Sequence, residues 1–318
     1  MDLADFRLCI YGEFNVSKAT IFAGQGAQFV GMGRDLAEAD PAVMALFDNA
    51  SAAVGFDLKG LCFSGPIEEL TKSNICQPAV FVVSAACLAA YQRRFPAATF
   101  TMTGGLSLGE WSALYAAGVL DFDTTVRVLE ARGRFMQEAC EEREGGMVSV
   151  MGATAEQLNE ICAATGVTQA NINSESQVVL SGAKEGIAAA ATLAAEMKLR
   201  AVVLSVAGAF HSPFMESARV KLAEYLKGVT FNTPQLPVLS NVTGRPHAAD
   251  GESIKGLMLR QMTEPVLLLE CVRQMRGAGV TEVIEFGPGK VLSGLIKRID
   301  RECVVANVQD AASLEAIN

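Results

Sequence analysis

Histidine is nearly absent from this chain of 318 residues. There are two, His211 and His247, so any imidazole chemistry must use one of them. Paired cysteines are absent as well. The eight cysteines, at 9, 62, 76, 87, 140, 162, 271 and 303, contain no C-x-x-C and have no histidine near them. That excludes a zinc site and a disulfide framework, and points to free, mostly buried thiols in a reducing compartment. Long apolar runs are also wanting. Half the residues are hydrophobic, yet no stretch reaches the roughly 18 uncharged apolar residues of a membrane span. Near the N-terminus Asp2, Asp5 and Glu13 interrupt any apolar run and no basic region precedes one, so residues 1–17 read as a leader or a disordered segment rather than a signal or transit peptide. Nor is there an excess of positive charge. With 26 Lys and Arg against 35 Asp and Glu the net charge is −9, which argues against a nucleic acid or an anionic membrane as the main partner.

What is present begins with Gly104-Gly105-Leu106-Ser107-Leu108-Gly109-Glu110. A β-prone segment, Phe100 to Thr103, precedes it, and Leu108 to Leu120 reads as a helix. Gly-x-Ser-x-Gly between strand and helix is the pattern of a nucleophile elbow, where small residues let the chain turn sharply and the helix N-terminus offers N–H groups to an oxyanion. The alternative is a glycine-rich turn whose serine only caps the helix.

The length allows two compact domains, or one large domain carrying an insertion. Ala19 to Ala23 reads as a buried strand, followed by Gly24-Gln25-Gly26-Ala27-Gln28. Phe29 stands where the third glycine of a dinucleotide fingerprint would fall, so that reading is rejected. Gln25 sits either in a tight loop offering backbone N–H groups or in a plain turn. Residues 35–95 are helical in character, with one helix starting at Asp40-Pro41 and a buried one from Gln77-Pro78 over Ala79 to Arg94. Asp121 caps a helix over Asp123 to Glu141, and Arg132 falls within its apolar stripe. An arginine there needs an acceptor. It is either a structural partner of a residue such as Glu110 or a docking point for a substrate carboxylate.

From Gly145 the pattern becomes β-α-β-β-α-β: strands at Met147–Met151, 167–172, 177–181 and 200–206, with helices at 155–164 and 184–199. This is the split unit of a ferredoxin-like domain, flanked by Gly145-Gly146 and Gly208, and it reads as an insertion. His211 stands at its exit, in Gly208-Ala-Phe-His-Ser-Pro213, just before a helix. His247 lies in a polar surface loop, Gly244 to Gly251, so a working histidine is His211. The remainder reads as a strand at 238–242, helices at 253–262 and 265–277, a strand at 281–286, and the turn Gly287-Pro-Gly-Lys290 leading into a helix over 291–299.

Taken together, Gly24-Gln-Gly-Ala-Gln28, Gly105-Leu-Ser-Leu-Gly-Glu110, Arg132-Gly-Arg-Phe-Met-Gln137, Gly208-Ala-Phe-His-Ser-Pro213, Asn241-Val-Thr-Gly244, Arg260-Gln261 and Gly287-Pro-Gly-Lys-Val-Leu292 are recognisable. From about Thr20 to Asp300 the chain resembles the malonyl-CoA:acyl-carrier-protein transacylases of fatty-acid synthesis, including the acyltransferase domains of polyketide synthases. The resemblance implies an α/β fold: an α/β-hydrolase-like catalytic subdomain with a parallel sheet, residues 18–144 and 208–308, and the ferredoxin-like insertion at 145–207. By the same resemblance Ser107 is the nucleophile and His211 its general base. Gln261 orients the imidazole through its backbone carbonyl, and the N–H groups of Gln25 and Leu108 form the oxyanion hole. Arg132 holds the malonyl carboxylate, and Phe210 is the aromatic associated with malonyl. Where the family commonly has histidine, before the nucleophile, this chain has Leu106, a form found in plant plastid members. The implied partners are malonyl-CoA and acyl carrier protein, with no cofactor, no metal, no nucleic acid and no membrane. The expected enzyme is monomeric and cytoplasmic, or of the plastid stroma. Two rivals remain: a serine hydrolase, which would need no buried arginine, and a carrier-binding subunit without chemistry.

Overall fold

The computed structural model describes residues 17–317, so the leader reading of 1–17 lies, apart from Ser17, outside the described residues. The strands are β1 (Lys18–Phe22), β2 (Met102–Gly105), β3 (Gly145–Met151), β4 (Thr168–Ser174), β5 (Gln177–Ala183), β6 (Arg200–Val203), β7 (Glu282–Phe286) and β8 (Val304–Val308). Four of them form a parallel sheet in the order β2-β1-β7-β8. The other four pair antiparallel in the order β4-β5-β3-β6.

Alternation along the parallel strands sends side chains to two cores. Phe22, Ile284 and Phe286 join the larger one, with helices Ser73–Arg94 and Leu108–Ala116. Ile21 and Val283 face a smaller one, with helices Leu268–Gly277 and Val291–Ile299. A third core lies under the antiparallel sheet, where Val148, Val150 and Leu180 meet helices Ala155–Thr165 and Lys184–Glu196. The opposite face of that sheet, with Met147 and Val179, turns towards the larger core.

Helix Ser73–Arg94 corrects two expectations. It starts five residues before Pro78 rather than at it. Its first turn is packed closely: a Cβ on Gly133 of helix Phe122–Glu142 would lie 2.2 Å from the Ser73 carbonyl oxygen. By length and composition this helix could also cross a membrane, against the reading that no stretch is that apolar, but 83% of its apolar window is buried inside the fold.

Other differences are local. Residues 238–242 form no strand, only isolated bridges of Val238 to Thr103 and Leu239 to Pro246. The helix expected from Pro265 starts at Leu268, because Val266 is taken up by backbone hydrogen bonds with Ala170 and Ile172 of β4. β6 stops at Val203, and β8 and helix Ala311–Glu315 extend the body beyond the expected elements. Of the seven described cysteines all are free, five of them buried; Cys9 lies outside the described residues.

Candidate active site

β1 and β2 run parallel with Phe22 opposite Gly105, so the Gln25 loop and the Ser107 turn leave the sheet side by side at its carboxyl end. Ligands bind in this position in open parallel sheets. Ser107 has φ 54° and ψ −101°, a conformation that costs a non-glycine residue about 1–3 kcal/mol. Its neighbours make the turn possible. A Cβ on Gly105 would lie 2.1 Å from the Gly109 backbone, and one on Gly109 would lie 2.1 Å from the Phe22 carbonyl. The Ser107 N–H donates to Asn241 Oδ1 at 2.7 Å, Asn241 Nδ2 donates to the Gly105 carbonyl at 2.8 Å, and Gln261 Nε2 donates to the Ser107 carbonyl at 2.9 Å. The serine hydroxyl makes no capping bond to its helix, which disposes of the plain-cap alternative.

Arg132 is buried in the middle of helix Phe122–Glu142. Nη1 donates to Gln77 Oε1 at 2.6 Å, while Nη2 donates to Ser107 Oγ at 3.1 Å and to Gln261 Oε1 at 3.1 Å. Nε has no partner. The expected structural pair with Glu110 is not made; the guanidinium meets neutral oxygens throughout. Burial pulls its pKa down to about 10, with the Glu110 charge opposing. A desolvated cation without an ion-pair partner is costly unless an anion completes its surroundings.

His211 follows the exit of the antiparallel sheet, where the neck is tight: a Cβ on Gly208 would lie 2.3 Å from Cys140 Sγ. His211 has φ 55°, and its Nδ1 donates to the Gln261 carbonyl at 2.7 Å. A carbonyl only accepts, so the Nδ1–H tautomer is set and Nε2 is left with a lone pair. Burial first, then the positive charge of Arg132, lower its pKa to about 4, so the imidazole is neutral at pH 7. Among the described residues no hydrogen bond joins it to Ser107, whose Oγ is held by Arg132.

Ser107, His211, Gln25, Leu106 and Phe210 line one cavity of about 250 Å³ between the two sheets; Asn171, Asn173 and Val206 close it from the antiparallel side. Gln25 and Leu108 keep backbone N–H groups free of protein acceptors among the described residues. The Gln25 side chain is fixed by a hydrogen bond to Ser73 Oγ at 3.2 Å. The arrangement can therefore expose a serine to an acyl group, offer donors to its oxygen and present a cation to a second, anionic end. Among the described residues no cluster of three or more His, Cys, Asp or Glu is arranged to hold a metal ion.

The sequence reading missed some of this site. Asn241 was visible only as a motif letter, and Gln77 was obscured by placing its helix too late. An amide within an otherwise apolar helix was the available signal for Gln77. His247, assigned to a surface loop, has a fully buried side chain whose Nε2 lies 2.7 Å from Glu110 Oε1. The loop folds back through a hydrogen bond from the His247 N–H to the Val238 carbonyl and carries the ring inward.

A serine on such a turn, at the carboxyl end of a parallel sheet and beside a neutral imidazole, is the architecture of serine-dependent acyl-group chemistry. Within that class the chain belongs to the acyl transferase domain family, whose model matches residues 20–316. It is 40% identical over 304 residues to a malonyl CoA-acyl carrier protein transacylase of Haemophilus influenzae, covering 94% of this chain and 97% of that one. An acyl carrier protein S-malonyltransferase of Vibrio cholerae superposes with a TM-score of 0.90 at 38% identity, covering 95% of this chain and all of that one. A malonyl-transacylase solved in complex with a type II polyketide synthase acyl-carrier protein gives a TM-score of 0.90 at 38% identity, covering 94% and 98%.

Proposed function

We propose that this acyltransferase takes malonyl from malonyl-CoA onto Ser107 and passes it to the phosphopantetheine thiol of an acyl carrier protein, supplying fatty-acid or polyketide chain elongation. The observation that carries the reading is Arg132: a buried guanidinium bonded to the nucleophile's hydroxyl, with no carboxylate against it among the described residues. A malonyl carboxylate supplies the missing anion and fixes the thioester carbonyl over Ser107. Once it occupies the guanidinium, Ser107 Oγ is released to turn to His211 Nε2, which takes its proton as the Oγ–C bond forms. Charge developing on the thioester oxygen meets the Gln25 and Leu108 N–H groups, one such donor being worth about 3 kcal/mol elsewhere. The tetrahedral adduct collapses and expels the coenzyme A thiolate, which recovers the proton from His211. The carrier's thiol then repeats the sequence in reverse on the malonyl-serine. No cofactor enters these steps.

Phe210 and Leu106 line the cavity, and on this reading Phe210 disfavours an α-methyl group on the substrate while Leu106 supplies an apolar wall. The strand orders support dividing the chain into an α/β-hydrolase-like body, 18–144 and 208–308, and a ferredoxin-like insertion, 145–207. The names of the Haemophilus and Vibrio relatives and the carrier complex support the choice of donor and acceptor. The test is the intact mass of the protein after incubation with malonyl-CoA, methylmalonyl-CoA or acetyl-CoA. A malonyl adduct on Ser107, discharged by holo carrier protein, is expected; equal labelling by acetyl-CoA, or rapid loss of the adduct to water alone, overturns the reading.

A further inference from the structure

On the side of Ser107 away from the cavity lies a carboxylate that these steps do not use. Glu110, in the first turn of helix Leu108–Ala116, is wholly buried. Its oxygens take three donors: Oε2 accepts from Gln261 Nε2 at 2.6 Å and from the Asn241 N–H at 3.1 Å, and Oε1 accepts from His247 Nε2 at 2.7 Å. Among the described residues no Lys or Arg lies within ion-pair distance of it, and His247 is the one ring against it.

Two of these donors are the residues that hold the reacting groups. Gln261 accepts His211 Nδ1 on its carbonyl and Arg132 Nη2 on its Oε1, and Asn241 accepts the Ser107 N–H. The Gln261 amide is thus placed between a carboxylate and a guanidinium. Only one orientation suits both, with NH₂ towards Glu110 and oxygen towards Arg132; a flipped amide would meet donor with donor and acceptor with acceptor. Among the described residues the same carboxylate is the one whose negative charge bears on the Arg132 pKa, opposing the effect of burial.

We propose that Glu110, braced by His247, is a positioning residue for acyl transfer: it orients Gln261 and Asn241, and serves as the remote countercharge of Arg132. This rests on the transferase reading. Replacement by glutamine keeps the volume but removes the charge and the preference that orients Gln261. Misplaced His211 and Ser107 lower kcat, while loss of a negative charge near Arg132 leaves a malonyl carboxylate bound at least as well.

The experiment is steady-state malonyl transfer to holo carrier protein by the parent, Glu110→Gln, His247→Gln and His247→Leu, with Tm measured alongside. For Glu110→Gln, kcat falls about tenfold with KM for malonyl-CoA unchanged or lower. His247→Leu loses kcat several-fold, and His247→Gln, whose amide can still donate to Glu110, restores most of it. Should Glu110→Gln fail to fold, the His247 pair decides. A kcat like the parent's for Glu110→Gln, a KM rising in step with the loss, or equal behaviour of the two His247 variants overturns the inference. A parent that takes no malonyl overturns the transferase reading instead.

Discussion

His211 and His247 are both buried, and each holds one ring nitrogen 2.7 Å from an oxygen, but the oxygens differ in kind. His211 rests on a neutral backbone carbonyl, borders the cavity and has the Arg132 guanidinium nearby. His247 rests on the Glu110 carboxylate, and its Nδ1 is buried without a partner among the described residues. A carbonyl orients an imidazole without adding charge, and a neighbouring cation then keeps it neutral and able to accept a proton. A carboxylate holds an imidazole as a donor, which suits bracing better than proton transfer. Burial is shared by both rings, and the charge of the partner is what separates the proposed base from the proposed brace.

The comparison breaks most sharply at the nucleophile and its base. Ser107→Ala and His211→Ala should each lower malonyl transfer by about 10³-fold or more, since members of such a unit fail together. Loss of His247 should cost far less, and equal losses at the two histidines would reverse the assignment. Next in size is Arg132→Ala. Removing one partner of a buried charge pair costs roughly 2–5 kcal/mol, so the preference for malonyl-CoA over acetyl-CoA should fall by about 30- to 4,000-fold. Competition between the two thioesters measures it, and an unchanged ratio would remove Arg132 from substrate selection.

These predictions stand on residues of unequal legibility. The Ser107 turn could be read because its flanking glycines are a local requirement, and the antiparallel sheet because strands and helices alternate within about sixty residues. Arg132 was conspicuous as a charge within an apolar stripe, although its partners were not. What stayed hidden depends on chain segments far apart in sequence. Asn241 reaches Ser107 only once the loop after Val238 lies along β2. His247 occupies a stretch rich in Gly, Pro and Asp whose composition says surface, and two backbone hydrogen bonds, His247 N–H to Val238 O and Ser240 N–H to Arg245 O, turn it inward. Gln77 is hidden because Pro78 suggests a helix start, whereas the helix begins at Ser73. Local propensity carries no record of such contacts.

The smallest expected effect is also the closest test of the contrast between the rings. His211 sits at about 4 because burial and the Arg132 charge both oppose protonation. The acid limb of kcat/KM, which reports the free enzyme, should therefore lie well below the usual histidine range near 6.5. On the proposed reading a malonyl carboxylate bound at Arg132 would neutralise it and remove one of the two causes, so the limb of kcat should lie higher than that of kcat/KM. Arg132→Ala should raise the kcat/KM limb for acetyl transfer, whereas Arg132→Lys, which keeps the charge, should move it less. The stability consequence has the same origin. An unfolded imidazole binds a proton near pH 6.5 and the folded one only near 4, so this contribution is full above about 6.5 and declines as the pH falls towards 4. Replacing His211 by Asn should flatten that decline in a urea titration repeated across pH, while His247→Gln should leave the part due to His211 in place. An acid limb near 6.5 in the parent, or one that ignores the charge at position 132, would mean that burial and the guanidinium do not set the state of His211, and the distinction drawn between the two histidines would fall with it.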